Sequence, residues 1–284
     1  MKIAFGTVIY DEAFSYFEEF AKSLNNQVYN NFDILLLNDN LMNQKVELIK
    51  NELKFKPMVW KGKDGSKPYE LRIELIKKAK FEGYDLLILG DFDDTFSETR
   101  ISSIVEEYDE KYGFFYNELY LLDQSMIFFR NLPEQTLKID HILESNYLGL
   151  SNSALNLNLI NKELICDLYK CNNVVFDWFM YSVFLNSGLK GKKIKNGKTF
   201  YRIHGFNIAG KSENSFKDVA KEIDIKIKHF LSLKDKNKKF EEKLNFYIDL
   251  KKKIQGSEID ILRYLDQEND NWWGKINSKK IEME

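Results

Sequence analysis

Two aspartates separated by one aromatic residue, Asp91-Phe92-Asp93, are the sharpest chemical signal in this sequence. They follow a short apolar segment, 85–89, of the kind typical of a buried strand. In an extended segment the side chains alternate, so Asp91 and Asp93 are expected on one side and Phe92 in the interior. Two carboxylates on one side suit Mg²⁺ or Mn²⁺, whose other ligands are water and diphosphate oxygens. The alternative is that these acidic residues only cap the next helix.

The same residues have a second chemical interpretation. The segment from Asp91 to Thr95 resembles the D-x-D-x-T loop of haloacid-dehalogenase-type phosphatases, in which the first aspartate attacks phosphorus. That loop ends the first strand of its domain, whereas three strand-helix units precede it here. No later acidic pair of the G-D-x-x-x-D kind completes a magnesium site. A phosphoryl hydrolase that uses Asp91 and Asp93 is therefore the second hypothesis.

Further polar groups follow the other segments that are predicted to be strands. In an open parallel sheet, ligands bind beyond the carboxyl ends of the strands. Residues 10–12 follow the first such segment, and residues 38–40 follow the second. The sequence contains no G-x-G-x-x-G or G-x-x-x-x-G-K-[ST] loop, so it offers no backbone cradle for a dinucleotide or a P-loop triphosphate. If a nucleotide binds, carboxylates and a metal must replace that cradle.

Two other candidates lie far along the chain. Asp177 is near the start of an apolar helical segment, and residues 201–207 follow a predicted strand. Taken singly, Asp177 fits a helix N-cap, His204 fits a structural or surface histidine, and Arg202 fits a surface ion pair. Their order along the chain, after the pair of aspartates, favours a functional role.

Composition excludes several classes of protein. The chain has 284 residues, of which 44% are hydrophobic, enough to fill a core. Its 42 basic and 44 acidic side chains leave a formal net charge of -2, so no nucleic-acid partner is expected. Two cysteines, Cys166 and Cys171, are too few for a disulfide framework or a zinc site. With neither a signal peptide nor an apolar span of ~20 residues, the expected localisation is cytoplasmic.

The elements that position these residues alternate along the first third of the chain. Short apolar segments predict strands at 3–9, 33–37, 55–60 and 85–89, and helical spacing predicts helices between them. This alternation predicts an α/β fold with a mostly parallel central sheet and helices on both faces. Further strands are expected at 113–122, 125–129 and 198–203, and further helices at 97–108, 161–169 and 176–186. From residue 214 onward the chain is almost wholly helical, which predicts a division into 1–212 and 213–284.

In this order the motifs resemble those of the family 2 glycosyltransferases of the GT-A fold, including bacterial enzymes that build surface polysaccharides. The resemblance covers roughly residues 1–210 and consists of several weak motifs in the right sequence. Tyr10 lies in V-I-Y-D-E, where the family has P-T-Y-N-E, and Asp39 lies in N-D-N, where it has D-D-G-S. The segment from Asp91 to Asp94 matches its metal-binding D-x-D-D.

Three later positions continue the resemblance. Arg72 matches an arginine in the helix before the fourth strand, and Asp177-Trp178 falls where the family has its E-D or D-W catalytic carboxylate. The segment Y-R-I-H-G-F-N, which contains His204, is similar to the family's Y-R-x-H-x-x-N. Val8, Asn38 and Ile73 stand where the family has proline, aspartate and asparagine.

The resemblance implies a metal site and a nucleotide site. Asp93 would hold Mn²⁺ or Mg²⁺, with Asp91 on the ribose or bound to the ion through water, and His204 completing the site. Asp39 would accept a hydrogen bond from the nucleobase, with Tyr10 against its ring.

It also implies Arg72 near the nucleotide and a reaction at Asp177. Asp177 would take the proton from an acceptor hydroxyl as it attacks the anomeric carbon, and a single displacement of this kind inverts the configuration. The expected enzyme is therefore an inverting, metal-dependent hexosyltransferase that moves a sugar from a nucleotide-diphosphate sugar, expected to be a UDP-sugar, to a glycan or lipid-linked acceptor. A sugar-nucleotide-binding protein without turnover is a third hypothesis.

The tail, 213–284, has two interpretations. Its apolar stripe of Phe240, Leu244, Tyr247 and Ile254 predicts packing onto the catalytic domain or onto a second copy of the chain. Alternatively, Trp272-Trp273 docks at the inner face of a membrane, where a lipid-linked acceptor would lie.

Overall fold

The computed structural model describes residues 1–122, 126–172, 175–203, 215–256, 259–266 and 268–283. Four strands near the start of the chain form the parallel part of the sheet: β1 (Ile3–Ile9), β2 (Asp33–Asn38), β3 (Met58–Lys61) and β4 (Leu86–Leu89). β1 lies between β2 and β4, and β3 pairs with the outer side of β2, all in parallel. This arrangement brings the carboxyl ends of β1, β2 and β4 to one edge of the sheet.

The remaining strands make the sheet mixed. They are β5 (Thr95–Phe96), β6 (Phe114–Leu121), β7 (Gln135–Thr136), β8 (Ser153–Asn156) and β9 (Gly191–Tyr201). β8 runs antiparallel to both β4 and β6, and β9 runs parallel to β6. The strand order is β3-β2-β1-β4-β8-β6-β9-β5, with β7 paired to β9. The predicted α/β fold is confirmed, with its parallel pairing concentrated in the first four strands.

Helices cover both faces of the sheet. One face carries α1 (Phe17–Asn25), α2 (Asn43–Glu52) and α4 (Arg100–Glu106), and the opposite face carries α3 (Pro68–Phe81). Along β2, Ile34 and Leu36 face the first group while Leu35 and Leu37 face α3. Because both faces of the strand are buried, every central position is apolar, which explains the continuous apolar segments of the sequence.

The predicted strands differ from those of the structure in several places. Within 125–129, the described residues form only an isolated antiparallel bridge between Tyr120 and Ile127. Phe128 and Phe129 pack against Trp272 instead, and this tertiary contact ends the alternation of a strand. The strand predicted at 198–203 begins earlier, at Gly191, and β8 was not predicted because S-A-L-N is short and half polar.

Among its described residues, the second half of the chain adds five α-helices. They are α5 (Lys162–Leu168), α6 (Phe176–Asn186), α7 (Phe216–Leu233), α8 (Lys238–Gln255) and α9 (Ser278–Glu282). The predicted stripe on α8 is buried at Phe240, Leu244 and Tyr247, and Ile254 packs against the same core as α6 and α7. The tail therefore packs onto the sheet-bearing part of the chain. No helix among the described residues combines the length and the apolar character needed to cross a bilayer.

A buried ion network joins α7 to the rest of the protein. Lys226 has no exposed side-chain surface, and its Nζ lies 3.3 Å from Glu222 and 3.7 Å from Glu144. It also donates a hydrogen bond of 3.0 Å to the hydroxyl of Tyr247 on α8. Glu144 lies on the segment between β7 and β8, so the network spans the predicted division of the chain. Buried charges of this kind require their partners, because an unpaired charge in the interior is costly.

We predict that Lys226→Met lowers the free energy of unfolding by about 3 kcal/mol, because it leaves the buried carboxylate of Glu222 without its cation. Chemical denaturation monitored by circular dichroism measures this loss. Lys228→Met is the matched control, since Lys228 is exposed two residues further along the same helix, and its effect should stay within about 0.5 kcal/mol. Equal effects of the two substitutions would contradict a structural role for the network.

Candidate active site

A cavity of about 670 Å³ opens at the carboxyl ends of β1, β2 and β4. Its walls include six of the residues singled out from the sequence, namely Tyr10, Asp39, Arg72, Asp91, Asp93 and Asp177. The seventh, His204, lies outside the described residues. Parallel strands bring residues 10, 39 and 91 together because each comes one or two positions after its strand ends.

The loop that carries Asp91 and Asp93 is a turn, closed by a hydrogen bond of 3.2 Å from the Asp94 N–H to the Asp91 carbonyl. Phe92 is fully buried and packs edge-on against Phe20, with ring centroids 5.0 Å apart. The burial of Phe92 anchors the turn, while both neighbouring carboxylates line the cavity. The predicted orientation of the three side chains is therefore confirmed, although the backbone is not extended.

Arg72 balances one of these carboxylates. Its Nη2 lies 3.1 Å from Oδ1 of Asp91, and both side chains are about 30% exposed at the cavity wall. The Asp91 N–H donates to Oγ of Ser151, 3.1 Å away. Because Arg72 and Ser151 hold Asp91, this carboxylate is oriented before any ligand arrives.

The nucleotide side of the cavity contains Tyr10 and Asp39. Burial raises the pKa of the Tyr10 phenol, as do the nearby charges of Asp93 and Asp91, so the hydroxyl stays protonated and can donate. Burial also raises the pKa of Asp39, with a further contribution from Glu12. The Asp39 N–H bonds to the carbonyl of Ile9 at 2.9 Å, which continues the β1-β2 pairing into the loop.

Asn38, one of the departures from the family pattern, has a structural role in the loop after β2. Its side-chain amide donates to the carbonyl of Leu41 at 3.0 Å, and its Oδ1 accepts from the Leu41 N–H at 2.7 Å. Asn40 within this loop has a φ of 57°, a left-handed conformation that asparagine tolerates better than most residues. Asn38 thus shapes the loop that presents Asp39.

Asp177 lines the same cavity from the first turn of α6. The capping position is Val175, so the predicted alternative that Asp177 is the N-cap is wrong. Its neighbour Trp178 is fully buried, donates from Nε1 to the carbonyl of Ile142 at 2.7 Å, and stacks on His229 at 3.9 Å. Burial and the charge of Asp91 raise the pKa of Asp177 to about 7, the range that suits a general base.

Two arginines, Arg100 and Arg202, hold the backbone around the acidic turn by hydrogen bonds. Arg100 is fully buried and donates from Nη2 to the carbonyls of Leu89 and Ser151, at 2.7 and 2.8 Å. Arg202 donates its backbone N–H to Asp94 and its Nε to the carbonyl of Asp93, both at 2.9 Å. It also pairs with Glu19, so the predicted surface ion pair is present as well. Burial and the charges of Asp93 and Asp91 raise the pKa of Asp94.

Several cavity residues were not singled out as site residues by sequence reasoning. They are Tyr69, Ser151, Asn152, Phe176, Trp272 and Trp273, among others. Most belong to loops of ordinary composition, which carry no local signal. The sequence alone indicates a membrane contact for the adjacent tryptophans of the tail and not a place in this cavity.

The donor set is consistent with a hard divalent cation. No group of three His, Cys, Asp or Glu side chains close enough to hold an ion occurs among the described residues. Asp91 and Asp93 lie on one turn at the cavity wall, and Mg²⁺ is typically bound by one or two carboxylates together with water and substrate phosphates. The chain can therefore supply the protein ligands of such a site, whether or not His204 contributes.

No protein-family model matches this sequence, and no curated protein matches it significantly. Several solved structures do share the fold. TarS 1-349 of S. aureus in complex with UDP-GlcNAc superimposes with a TM-score of 0.56 at 13% identity, over 90% of this chain and 73% of that one. The complex of TarS 1-349 with UDP gives a TM-score of 0.53 at 13% identity, over 92% of this chain and 76% of that one.

The mannosyltransferase PcManGT from Pyrobaculum calidifontis, in complex with GDP-Man and Mn²⁺, gives a TM-score of 0.51 at 10% identity, over 81% of this chain and 63% of that one. At such low identity these likenesses concern the fold. The chain accordingly has a GT-A-like α/β fold, similar to those of glycosyltransferases that bind nucleotides and nucleotide sugars.

Proposed function

We propose that this protein is an inverting, metal-dependent glycosyltransferase, similar to family 2 enzymes, that moves a hexose from a nucleotide-diphosphate sugar to a hydroxyl group. The observation that carries the proposal is the position of Asp177. A carboxyl group with a pKa of about 7 shares one cavity with the Asp91-Asp93 turn and with Tyr10 and Asp39. One cavity thus offers a general base, a site for a cation and polar groups for a nucleotide.

In the proposed reaction the acceptor oxygen forms a bond to the anomeric carbon while the bond from that carbon to the diphosphate breaks. The carboxylate of Asp177 takes the acceptor proton. Asp39 and Tyr10 would orient the nucleoside, and Arg72 with Asp91 would position its ribose or diphosphate. A divalent cation held at Asp93 and Asp91 would supply positive charge for the leaving diphosphate.

The comparisons support this choice of donor in general terms. The TarS structures contain UDP-GlcNAc or UDP, and the PcManGT structure contains GDP-Man and Mn²⁺. We propose a UDP-sugar as donor, with UDP-GlcNAc, UDP-glucose and UDP-galactose as the first compounds to test. From the sequence patterns we also propose a glycan or a lipid-linked sugar in the biosynthesis of a polysaccharide as the acceptor, and a division of the chain into 1–212 and 213–284.

We predict that Asp93→Ala abolishes metal-dependent nucleotide binding and leaves the fold intact, because a side chain after a strand end contributes little to the core. The measurement is the shift of melting temperature with UDP, with and without Mn²⁺, since a ligand of the native state raises stability by mass action. Asp11→Ala is the matched control, because Asp11 is exposed next to Tyr10. Stabilisation by phosphate mimics alone, with no response to UDP, would instead indicate the hydrolase.

We predict that Asp177→Asn retains donor affinity and lowers transfer by about 10²–10⁴-fold, because the amide cannot accept the proton. Donor binding by calorimetry and product formation by chromatography separate the two effects. Glu163→Gln, an exposed position on α5, is the control and should act like the wild type. Near-normal transfer by Asp177→Asn would exclude the proposed mechanism.

The pKa of Asp177 also predicts how stability depends on pH. Its pKa is raised to about 7 in the folded state, so the folded protein binds the proton more tightly than the unfolded chain does. The stabilisation is complete below the unfolded-state pKa and is lost as the pH rises toward about 7. The melting temperature of the wild type should therefore fall relative to that of Asp177→Asn between pH 4 and pH 8, in buffers of constant ionic strength. A constant difference across this range would show that the pKa is not raised.

A further inference from the structure

A segment near the end of the chain forms one wall of the cavity. We call residues 268–277 the C-terminal wall. Trp272 and Trp273 within it line the cavity, together with Gly149 and Tyr201 of the sheet-bearing part of the chain. Residues about 180 positions after the Asp91 turn therefore belong to the same site as that turn.

The C-terminal wall is fastened at several points. Trp272 and Asn146 exchange two backbone hydrogen bonds, of 2.8 and 2.9 Å. The carboxylate of Asp270 accepts from the backbone N–H of Arg130 at 2.7 Å and from its Nε at 3.1 Å. These bonds fix the backbone on the side of the cavity where β6 ends and β8 begins.

A second attachment comes from the tail itself. The buried carboxylate of Glu222 on α7 accepts the backbone N–H groups of Lys275 and Ile276, at 3.3 and 3.2 Å. Glu222 is also paired with Lys226. The buried ion network therefore holds the C-terminal wall as well as α7.

Trp272 belongs to an aromatic cluster. Its ring lies edge-on to Phe129 at 4.8 Å between centroids, and 6.3 Å from the ring of Tyr201. It passes so close to Gly149 that a Cβ there would lie 2.9 Å from the indole. The Nε1 atom of Trp272 is buried and has no hydrogen-bond partner in the described part of the chain. Because this atom has almost no accessible surface, what Trp272 offers to the cavity is its aromatic ring and not its N–H group.

Trp273 is held in an unfavourable backbone conformation. Its φ is 60°, in the left-handed region that bulky side chains rarely adopt. Strain of this type persists where the surrounding contacts impose it, and it is concentrated at binding and active sites. The hydrogen bonds at residues 270, 272, 275 and 276 impose this conformation. The indole ring of Trp273 is thereby held at the cavity wall.

The sheet order places the two tryptophans opposite the nucleotide residues. Tyr10 and Asp39 follow β1 and β2, on one side of β4, whereas Gly149 and Tyr201 border β8 and β9 on the other. The Asp91 turn follows β4, between them. A nucleotide-diphosphate sugar with its base at Asp39 and its diphosphate at this turn would direct its sugar toward the C-terminal wall.

We infer that Trp272 and Trp273 form a subsite for a pyranose ring of the glycosyl-transfer reaction, an inference that rests on the proposed function. A pyranose presents C–H faces that pack on aromatic rings. The ring is either the sugar of the donor or the terminal sugar of the acceptor, and the two are distinguished by experiment. The half-buried rings of this pair also favour a role inside the site over the membrane docking considered from the sequence.

The test uses Trp273→Asn in the full chain. Asparagine tolerates the left-handed conformation, so this change removes the indole without disturbing the backbone. Trp60→Asn is the matched control, because Trp60 lies on β3 and outside the cavity. Trp273→Phe restores an aromatic ring at the same position.

Calorimetry with Mn²⁺ compares UDP with UDP-GlcNAc, UDP-glucose and UDP-galactose, and saturation-transfer NMR with Mg²⁺ and UDP tests the methyl β-glycosides of the same sugars. For Trp273→Asn we expect unchanged UDP affinity. If the ring belongs to the donor, the variant loses about tenfold in affinity for the UDP-sugar that binds the wild type best. If the ring belongs to the acceptor, the variant keeps its affinity for the donor, and the glycosides no longer give saturation-transfer signals. Trp273→Phe should restore part of either loss, and Trp60→Asn should show neither.

Retention of both responses by Trp273→Asn would overturn the subsite. So would a wild-type protein that binds UDP but shows no response to any sugar in either experiment. A wild type that binds the glycosides but not UDP would contradict the proposed function and leave the subsite standing. A protein that binds neither would contradict both.

Discussion

Three carboxylates within four residues, Asp91, Asp93 and Asp94, must be held together at the end of β4, and the surrounding structure compensates their mutual repulsion. Three arginines do so from different directions. The guanidinium of Arg72 pairs with Asp91. Arg202 donates its backbone N–H to the carboxylate of Asp94 and its Nε to the carbonyl of Asp93. Buried Arg100 donates to the carbonyls of Leu89 and Ser151. Phe92 adds an apolar anchor between the charges. This balance keeps an anionic turn at the cavity wall, where a cation or a polar ligand can be bound.

The position of this turn at the end of β4 explains which site residues could be predicted from the sequence. Residues 10, 39 and 91 could be predicted because parallel strands end at one edge, a rule that needs only the order of the strands. Phe92 could be assigned to the interior because it alternates with two aspartates. Asp177 was found through its resemblance to a family motif and not through local periodicity. Its raised pKa depends on burial beside Trp178 and on the charge of Asp91, which no local pattern contains.

Other parts of the structure could not be predicted because they depend on tertiary contacts. Arginine is rarely fully buried, and nothing in the sequence around Arg100 sets it apart, yet its side chain is fully buried against carbonyl groups. Trp272 and Trp273 lie far from the other site residues in sequence, and long-range bonds such as the pairing of Trp272 with Asn146 bring them to the cavity. The apolar stripe of the tail predicts packing onto the catalytic domain or onto a second copy of the chain, but no local pattern predicts the buried Lys226 and Glu222 that connect the tail to the site.

The central claim is that one cavity binds a nucleotide diphosphate through a cation at the Asp91-Asp93 turn, with Asp177 across from it. The most direct measurement is an anomalous-difference map from crystals grown with UDP and Mn²⁺. We predict a single strong manganese peak between the carboxylate of Asp93 and the diphosphate oxygens, with the uracil at Asp39. A nucleotide bound elsewhere, or manganese away from this turn while UDP occupies the cavity, would contradict it.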